Sequence, residues 1–158
     1  MLQPVQPPFH LVLVSPQIPP NTGNVARLCA VTGCKLILVE PLGFSIEDRA
    51  LKRAGLDYWD KVFVKLFTDY SSYREAFPAA RRIFFSARAT RTLYDVRFIP
   101  GDHLVFGSET QGLPKELLNG NEGDVVTLPM LPERRSLNLS TAVGVGAYEA
   151  LRQVRYSR

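Results

Sequence analysis

Sulfur and imidazole are scarce in this chain of 158 residues, which holds two cysteines, two methionines and two histidines. Cys29 and Cys34 stand close together with no histidine or further cysteine near them, so neither a zinc-ligand spacing nor a disulfide framework is available. Both are expected as buried free thiols, and no metal is expected. His10 and His103 match no catalytic pattern and are read as strand-edge residues. No apolar run approaches the ~20 residues that span a bilayer, which argues against a membrane partner. The start, Met1 to Phe9, lacks the basic region and long apolar core of a signal peptide and predicts a cytoplasmic location. Two glycine fingerprints are missing as well. The run from Gly107 to Gly112 has no Lys-Ser/Thr to make a phosphate-binding P-loop and no Gly-x-Gly-x-x-Gly, so ATP and NAD are poor candidate ligands.

What is present is the composition of one globular domain over residues 1–158, 46% hydrophobic and 22% charged. A chain of this length buries roughly 70% of its unfolded surface. Residues 1–9, rich in proline and glutamine, are read as a loose N-terminal arm. The net charge is +4, and its distribution is uneven. Arg81, Arg82, Arg88, Arg91 and Arg97 face only Asp95 in that stretch, while Arg152, Arg155 and Arg158 close the chain. Such clusters attract phosphates at long range and favour a nucleic-acid partner; the stretch from Arg81 to Arg97 is expected to supply phosphate contacts.

Short apolar, β-branched runs predict strands at His10 to Val14, Lys35 to Glu40, Lys61 to Phe67, Arg82 to Ser86, Asp102 to Phe106 and Val125 to Leu128. Helical patterns separate the early ones. Asn21 to Asn24 supply caps for a helix that Gly33 stops, a capping-box start at Ser45 to Asp48 opens a short helix through Ala54 with Gly55 as its end, and Tyr70 to Phe77 precedes Pro78. Alternating strands and helices imply an α/β fold with a mainly parallel sheet and helices on both faces.

The last long stretch, from Thr127 through Pro129 and Pro132 to Ser140 and on to Arg152, reads as a strand end, a proline-punctuated loop and a capped helix. Ser136, Asn138, Ser140 and Thr141 supply polar caps, and Val143, Ala147, Ala150, Leu151 and Val154 form an apolar stripe. Open α/β proteins place ligands at such strand-to-helix loops. Earlier, Arg27 lies off the apolar stripe of its helix, and a guanidinium in the first turns opposes the helix dipole, which marks it as a functional candidate.

Three stretches stand out together: Ile18-Pro-Pro-Asn-Thr-Gly-Asn-Val-Ala-Arg27, Leu104-Val-Phe-Gly-Ser-Glu-Thr-Gln-Gly-Leu-Pro114 and Leu128-Pro-Met-Leu-Pro-Glu-Arg-Arg-Ser-Leu-Asn-Leu-Ser140. In order and spacing they resemble the three motifs of the SpoU-type branch of the SPOUT RNA methyltransferases. With Arg53-Ala-Gly-Leu-Asp-Tyr-Trp59 and the bare catalytic length, the chain is similar to the small bacterial tRNA wobble-position ribose 2'-O-methyltransferases, the TrmL family. The resemblance implies methyl transfer from S-adenosylmethionine to the ribose 2'-hydroxyl of a wobble cytidine or uridine in tRNA, by a homodimer whose C-terminal segment forms a trefoil knot. It implies that Ser86, Gly107, Glu109, Leu128, Met130, Ser136 and Leu137 hold the cofactor and that Arg27, Asn24, Ser136 and Asn138 serve catalysis. Glu109 could equally bond backbone N–H groups to shape its loop. Tyr58 and Trp59 are expected to pack in the core or at the dimer interface. Gln17 and the Gly-Ser-Glu of the second motif depart from the commonest pattern of the nearest relatives. That keeps open the alternatives of another tRNA or rRNA ribose and of a non-catalytic RNA-binding module.

Overall fold

The computed structural model describes residues 2–47 and 49–156, without the side chains of residues 50, 52, 54–58 and 64. The chain alternates strand and helix: β1 (His10–Val14), α1 (Pro19–Thr32), β2 (Lys35–Val39), α2 (Arg49–Val62), β3 (Phe63–Phe67), α3 (Tyr70–Ala76), β4 (Arg82–Phe85), a short 3-10 turn (Leu93–Asp95), β5 (His103–Phe106), α4 (Lys115–Asn119), β6 (Gly123–Val126) and α5 (Leu139–Tyr156). The six strands form one sheet in the order β3-β2-β1-β5-β4-β6, and every pairing is parallel. β5 and β6 flank β4 on opposite sides, so the connection from β5 to β6 crosses over β4.

The strands read as continuous apolar runs because both faces of the sheet are covered. Side chains alternate between them. Leu11, Leu13, Leu36, Leu38, Ile83, Phe85, Leu104 and Phe106 pack with Val25 and Cys29 of α1 and with Val143, Ala147, Ala150 and Leu151 of α5. On the other face, Val12, Val14, Ile37, Val39, Phe84 and Val105 pack against Tyr73 of α3 and against Leu117 and Leu118 of α4. Gly146 lets α5 lie close to the sheet: a Cβ there would meet the Phe85 and Phe106 rings at 3.1 and 3.2 Å. Those rings stack on each other at 4.4 Å. Cys29 and Cys34 are buried and free, and burial raises both thiol pKa values.

Four local expectations change. α1 begins at Pro19, a favoured first position because it has no N–H to leave unpaired. Asn21 and Thr22 are therefore buried inside the helix, not caps, and Arg27 lies mid-helix, beyond the turn where the dipole acts. Gly33 does terminate α1, in the left-handed region with φ 81°. α2 runs through Gly55 to Val62, since a single glycine costs a helix only about 1 kcal/mol, and it takes over the first residues expected of β3. Asp48 of the expected capping box and the side chain of Tyr58 lie outside the described residues; Trp59 stacks on Phe63 at 4.6 Å. The N-terminal segment is held down instead of loose. Val5 and Phe9 are buried, and Arg155 donates a hydrogen bond to the Pro4 carbonyl. Composition sees the prolines and glutamines but not the two apolar anchors between them.

The histidines are the first residues of β1 and β5, the two central strands of the sheet. Their rings stack at 4.4 Å. The Arg82 Nε donates to the Tyr73 hydroxyl at 3.2 Å, and that hydroxyl lies 2.7 Å from His103 Nδ1. A hydroxyl that accepts from arginine has its proton free to donate, which makes Nδ1 the acceptor of a neutral imidazole. Burial, with His10 and Arg82 nearby, lowers the His103 pKa to about 3, and burial pushes the Tyr73 phenol up to about 12.

Candidate active site

At the carboxyl ends of β4, β5 and β6 the chain leaves a cavity of about 630 Å³. Its floor is the Phe85 and Phe106 ring pair, with Leu139 and Ala142 of α5 beside it. Three loops wall it. The loop after β4 brings Ser86 and Arg88, the loop after β5 brings Gly107 to Gly112, and the segment after β6 brings Leu128, Met130, Arg135, Ser136 and Leu137. All seven residues expected to hold a cofactor therefore line one cavity: Ser86, Gly107, Glu109, Leu128, Met130, Ser136 and Leu137. The volume falls in the range of small-molecule pockets, with an apolar floor and a rim of polar and backbone groups.

Each loop is fixed by its own bonds. The first and third zip together: Ser86 N donates to the Val126 carbonyl at 2.9 Å, Thr127 N to Arg91 at 2.8 Å and Leu93 N to Thr127 at 3.0 Å. The second closes on itself, with Gly112 N donating to the Ser108 carbonyl at 3.1 Å. Gly107 has no room for a side chain, since a Cβ would lie 2.1 Å from the Gly112 carbonyl carbon.

A hydrogen-bonded chain then joins the second loop to both helices at the site. The Glu109 carboxylate accepts from the backbone N–H groups of Gln17 at 2.8 Å and Ile18 at 3.0 Å, where α1 begins, and from the Asn21 amide at 3.3 Å. A carboxylate is favoured there by the free N–H groups and the dipole of the helix start. The Asn21 carbonyl oxygen accepts from Asn138 Nδ2 at 3.0 Å. Asn138 Oδ1 in turn accepts from Ser140 Oγ at 2.7 Å and Thr141 N at 3.2 Å, capping α5. Glu109 thus bonds backbone N–H groups, but those of the α1 start and not of its own loop.

Asn21 is the residue that sequence reasoning missed. In sequence it is one polar cap among several, whereas its burial at 5% exposure and its two partners come from segments far away in the chain. The available signal is its place in the first motif, three residues before Asn24. Asn24 and Arg27 do not line the cavity; both are exposed on the outer face of α1, and the Arg27 side chain makes no hydrogen bond or ion pair among the described residues. Ser136 and Asn138 are exposed in the segment before α5.

The arginine stretch divides. Arg82 is buried, held by Tyr73 and by the Phe77 and Ala80 carbonyls, because strand alternation turns it inward. Arg81 pairs with Asp102 at 2.9 Å, and Arg91 pairs with Asp124 at 2.7 Å. These three have partners within the fold, so the stretch is not a uniform row of free cations. Arg88, at the cavity rim, has no such partner among the described residues.

A parallel α/β sheet carrying a cavity between three hydrogen-bonded loops at one end of β4, β5 and β6 has the architecture of SPOUT-type methyltransferases. The chain belongs to the SpoU rRNA Methylase family, which it matches over residues 8–148. A tRNA (cytidine(34)-2'-O)-methyltransferase from Acidovorax sp. (strain JS42) is 52% identical over 148 residues, 92% of this chain and 91% of the relative. The protein of the same name from Escherichia coli (strain K12) is 44% identical over 149 residues, 94% and 95% of the two chains. A solved structure concerned with the 2-OH methylation of C/U34 on tRNA superposes with a TM-score of 0.86 at 50% identity, covering 92% of this chain and 95% of its own.

Proposed function

We propose that this chain transfers the methyl group of S-adenosylmethionine to the ribose 2'-hydroxyl of the wobble nucleotide, cytidine or uridine 34, of tRNA. The observation that carries the reading is the convergence of the second and third motif stretches on one cavity, in a chain about half identical to wobble-cytidine methyltransferases over nearly its full length. The cavity fits the donor: Leu128, Met130 and Leu137 offer backbone and apolar contact for an adenosine, and Ser86, Ser136 and the Gly107 loop offer polar groups for its amino-acid part. When bound, S-adenosylmethionine supplies an electrophilic methyl group on a sulfonium. The protein's task is to align the ribose oxygen and ease loss of its proton, so positioning dominates.

Arg27 is the residue we assign to the hydroxyl. A guanidinium does not give up its proton in proteins, so it holds a tRNA phosphate and polarises the hydroxyl instead of acting as a base. Asn24 stands one turn before it on the same exposed stripe. Ser136 and Asn138 orient the ribose from the third loop. Arg27 lies outside the cavity of its own chain, which is why the reading includes a homodimer in which one copy's Arg27 serves the other copy's cavity. The outer faces of α1 and α5 carry exposed Val31 (64%), Val145 (41%) and Tyr148 (52%), an apolar surface suited to a second copy. The trefoil knot belongs to the same reading, supported by the β5-to-β6 crossing over β4 and by the zipped loops after β4 and β6. No helix among the described residues is long and apolar enough to cross a membrane. A tRNA substrate places the working enzyme in the cytoplasm. A tRNA with a single 2'-deoxynucleotide at position 34 tests the target: transfer should vanish, and undiminished transfer would move the reaction to another ribose.

A further inference from the structure

A second cavity, of about 310 Å³, opens beside the first and shares Ser86, Arg88 and Leu118 with it. Its remaining wall is built by α4 and the edge strand β6. Lys115, Leu118 and Asn119 line it, and their i, i+3, i+4 spacing puts them on one helix face. Glu116 is not part of the lining. Ala89 and Val125 complete an apolar floor. The charge is one-sided, because the lining holds two cations and no acid. Neither the Arg88 nor the Lys115 side chain has an ion pair or hydrogen bond among the described residues, whereas Arg74, Arg81, Arg91 and Arg152 each have a carboxylate partner. Asp124, the acid nearest in sequence to the floor, is already held by Arg91 at 2.7 Å, with Arg81 at 3.8 Å.

We propose that this second cavity is a subsite for the RNA nucleotide next to the one methylated, with Arg88 and Lys115 taking its phosphate and Asn119 meeting its sugar or base. The proposal rests on the RNA-methyltransferase reading above. Three features point to this ligand class. The cavity is joined to the cofactor cavity through Ser86 and Arg88, so a chain leaving the reaction centre reaches it without a gap. Two unpaired cations on an apolar floor suit a phosphodiester that carries a sugar and a base. No aromatic side chain lines it, so a base there rests on Leu118 and Val125 instead of stacking. Phosphate contacts of this kind position the strand and carry little sequence information.

Lys115 lies in the second cavity alone and gives the clean test. Binding of unmodified tRNA by the full-length protein is measured across salt concentrations for the wild type, Lys115→Gln and Lys115→Arg, with S-adenosylmethionine affinity measured alongside. The expected result is a several-fold weaker tRNA affinity for Lys115→Gln and a salt slope lower by about 0.7–0.9. The cofactor affinity stays unchanged, and Lys115→Arg restores the slope. An unaltered slope and affinity in Lys115→Gln overturns the subsite, as does equal loss of tRNA and cofactor affinity. Because binding is read without turnover, failure of the wild type to methylate tRNA would count against the proposed function, while the subsite would still stand or fall by the salt slope.

Discussion

Replacing Asn21 by Asp should separate a positioning role from simple packing, because the change keeps the shape and reverses one interaction. The Asn21 amide nitrogen lies 3.3 Å from a Glu109 carboxylate oxygen. Putting a carboxylate oxygen there sets two like charges at that distance, worth about 5 kcal/mol of repulsion at an effective dielectric constant near 20. A pair so close does not remain doubly ionised; it takes up a shared proton, and one carboxyl pKa rises above its unfolded value. The sign follows. The folded variant binds that proton more tightly than the unfolded chain, so its stability falls as pH rises through the raised pKa and returns as pH falls. Urea unfolding at pH 8 and pH 5 reads this directly. Relative to the wild type at the same pH, Asn21→Asp should lose about 4–5 kcal/mol at pH 8, where neither repulsion nor proton uptake is cheap, and about 1–2 kcal/mol at pH 5. The kcat for methyl transfer should fall more than S-adenosylmethionine affinity, since the displaced element is the Arg27-bearing helix. Equal losses at the two pH values would refute the Glu109–Asn21 coupling.

Further outcomes are expected elsewhere. Gly107→Ala should cost about 3 kcal/mol or more and abolish cofactor binding, because its Cβ would lie 2.1 Å from the Gly112 carbonyl carbon; calorimetry with S-adenosylmethionine and thermal unfolding check both. His103, neutral in the fold with its pKa lowered to about 3, is protonated first in the unfolded chain as pH falls. Its contribution is complete above about pH 6.5 and drains away below it, by up to about 3 kcal/mol at pH 4.5, so His103→Gln should flatten the urea midpoint against pH over that window. Mixing inactive Arg27→Ala with inactive Ser136→Ala should restore part of the activity, since in the proposed dimer a mixed pair holds one site with both residues intact. No recovery in subunits shown to exchange would contradict the shared site.

Much of the fold was legible because strands buried on both faces write themselves as uninterrupted apolar runs. His10 to Val14 and Lys35 to Val39 needed no tertiary information. Strand order was not legible: nothing in the composition of β5 places it between β1 and β4. Gly55 misled because a glycine inside a helix and a glycine ending one look alike when packing is unseen. That Ser86, Gly107, Leu128 and their neighbours share one site could be named from the motif resemblance, whereas composition and spacing alone do not bring the three loops that carry them to one cavity. Asn21 and Arg82 illustrate the limit. Each is polar and looks solvated in sequence, and each is buried because its partners, Glu109 and Asn138 for the one, Tyr73 and the Phe77 carbonyl for the other, arrive from elsewhere in the chain.

Transfer of labelled methyl from S-adenosylmethionine to total tRNA, followed by mapping of the modified nucleoside, reaches the proposed reaction and its target in one experiment. The label is expected on the 2'-oxygen of cytidine or uridine at position 34. Label on another ribose would keep the chemistry and overturn the target, and cofactor binding without transfer to any RNA would contradict the enzyme itself.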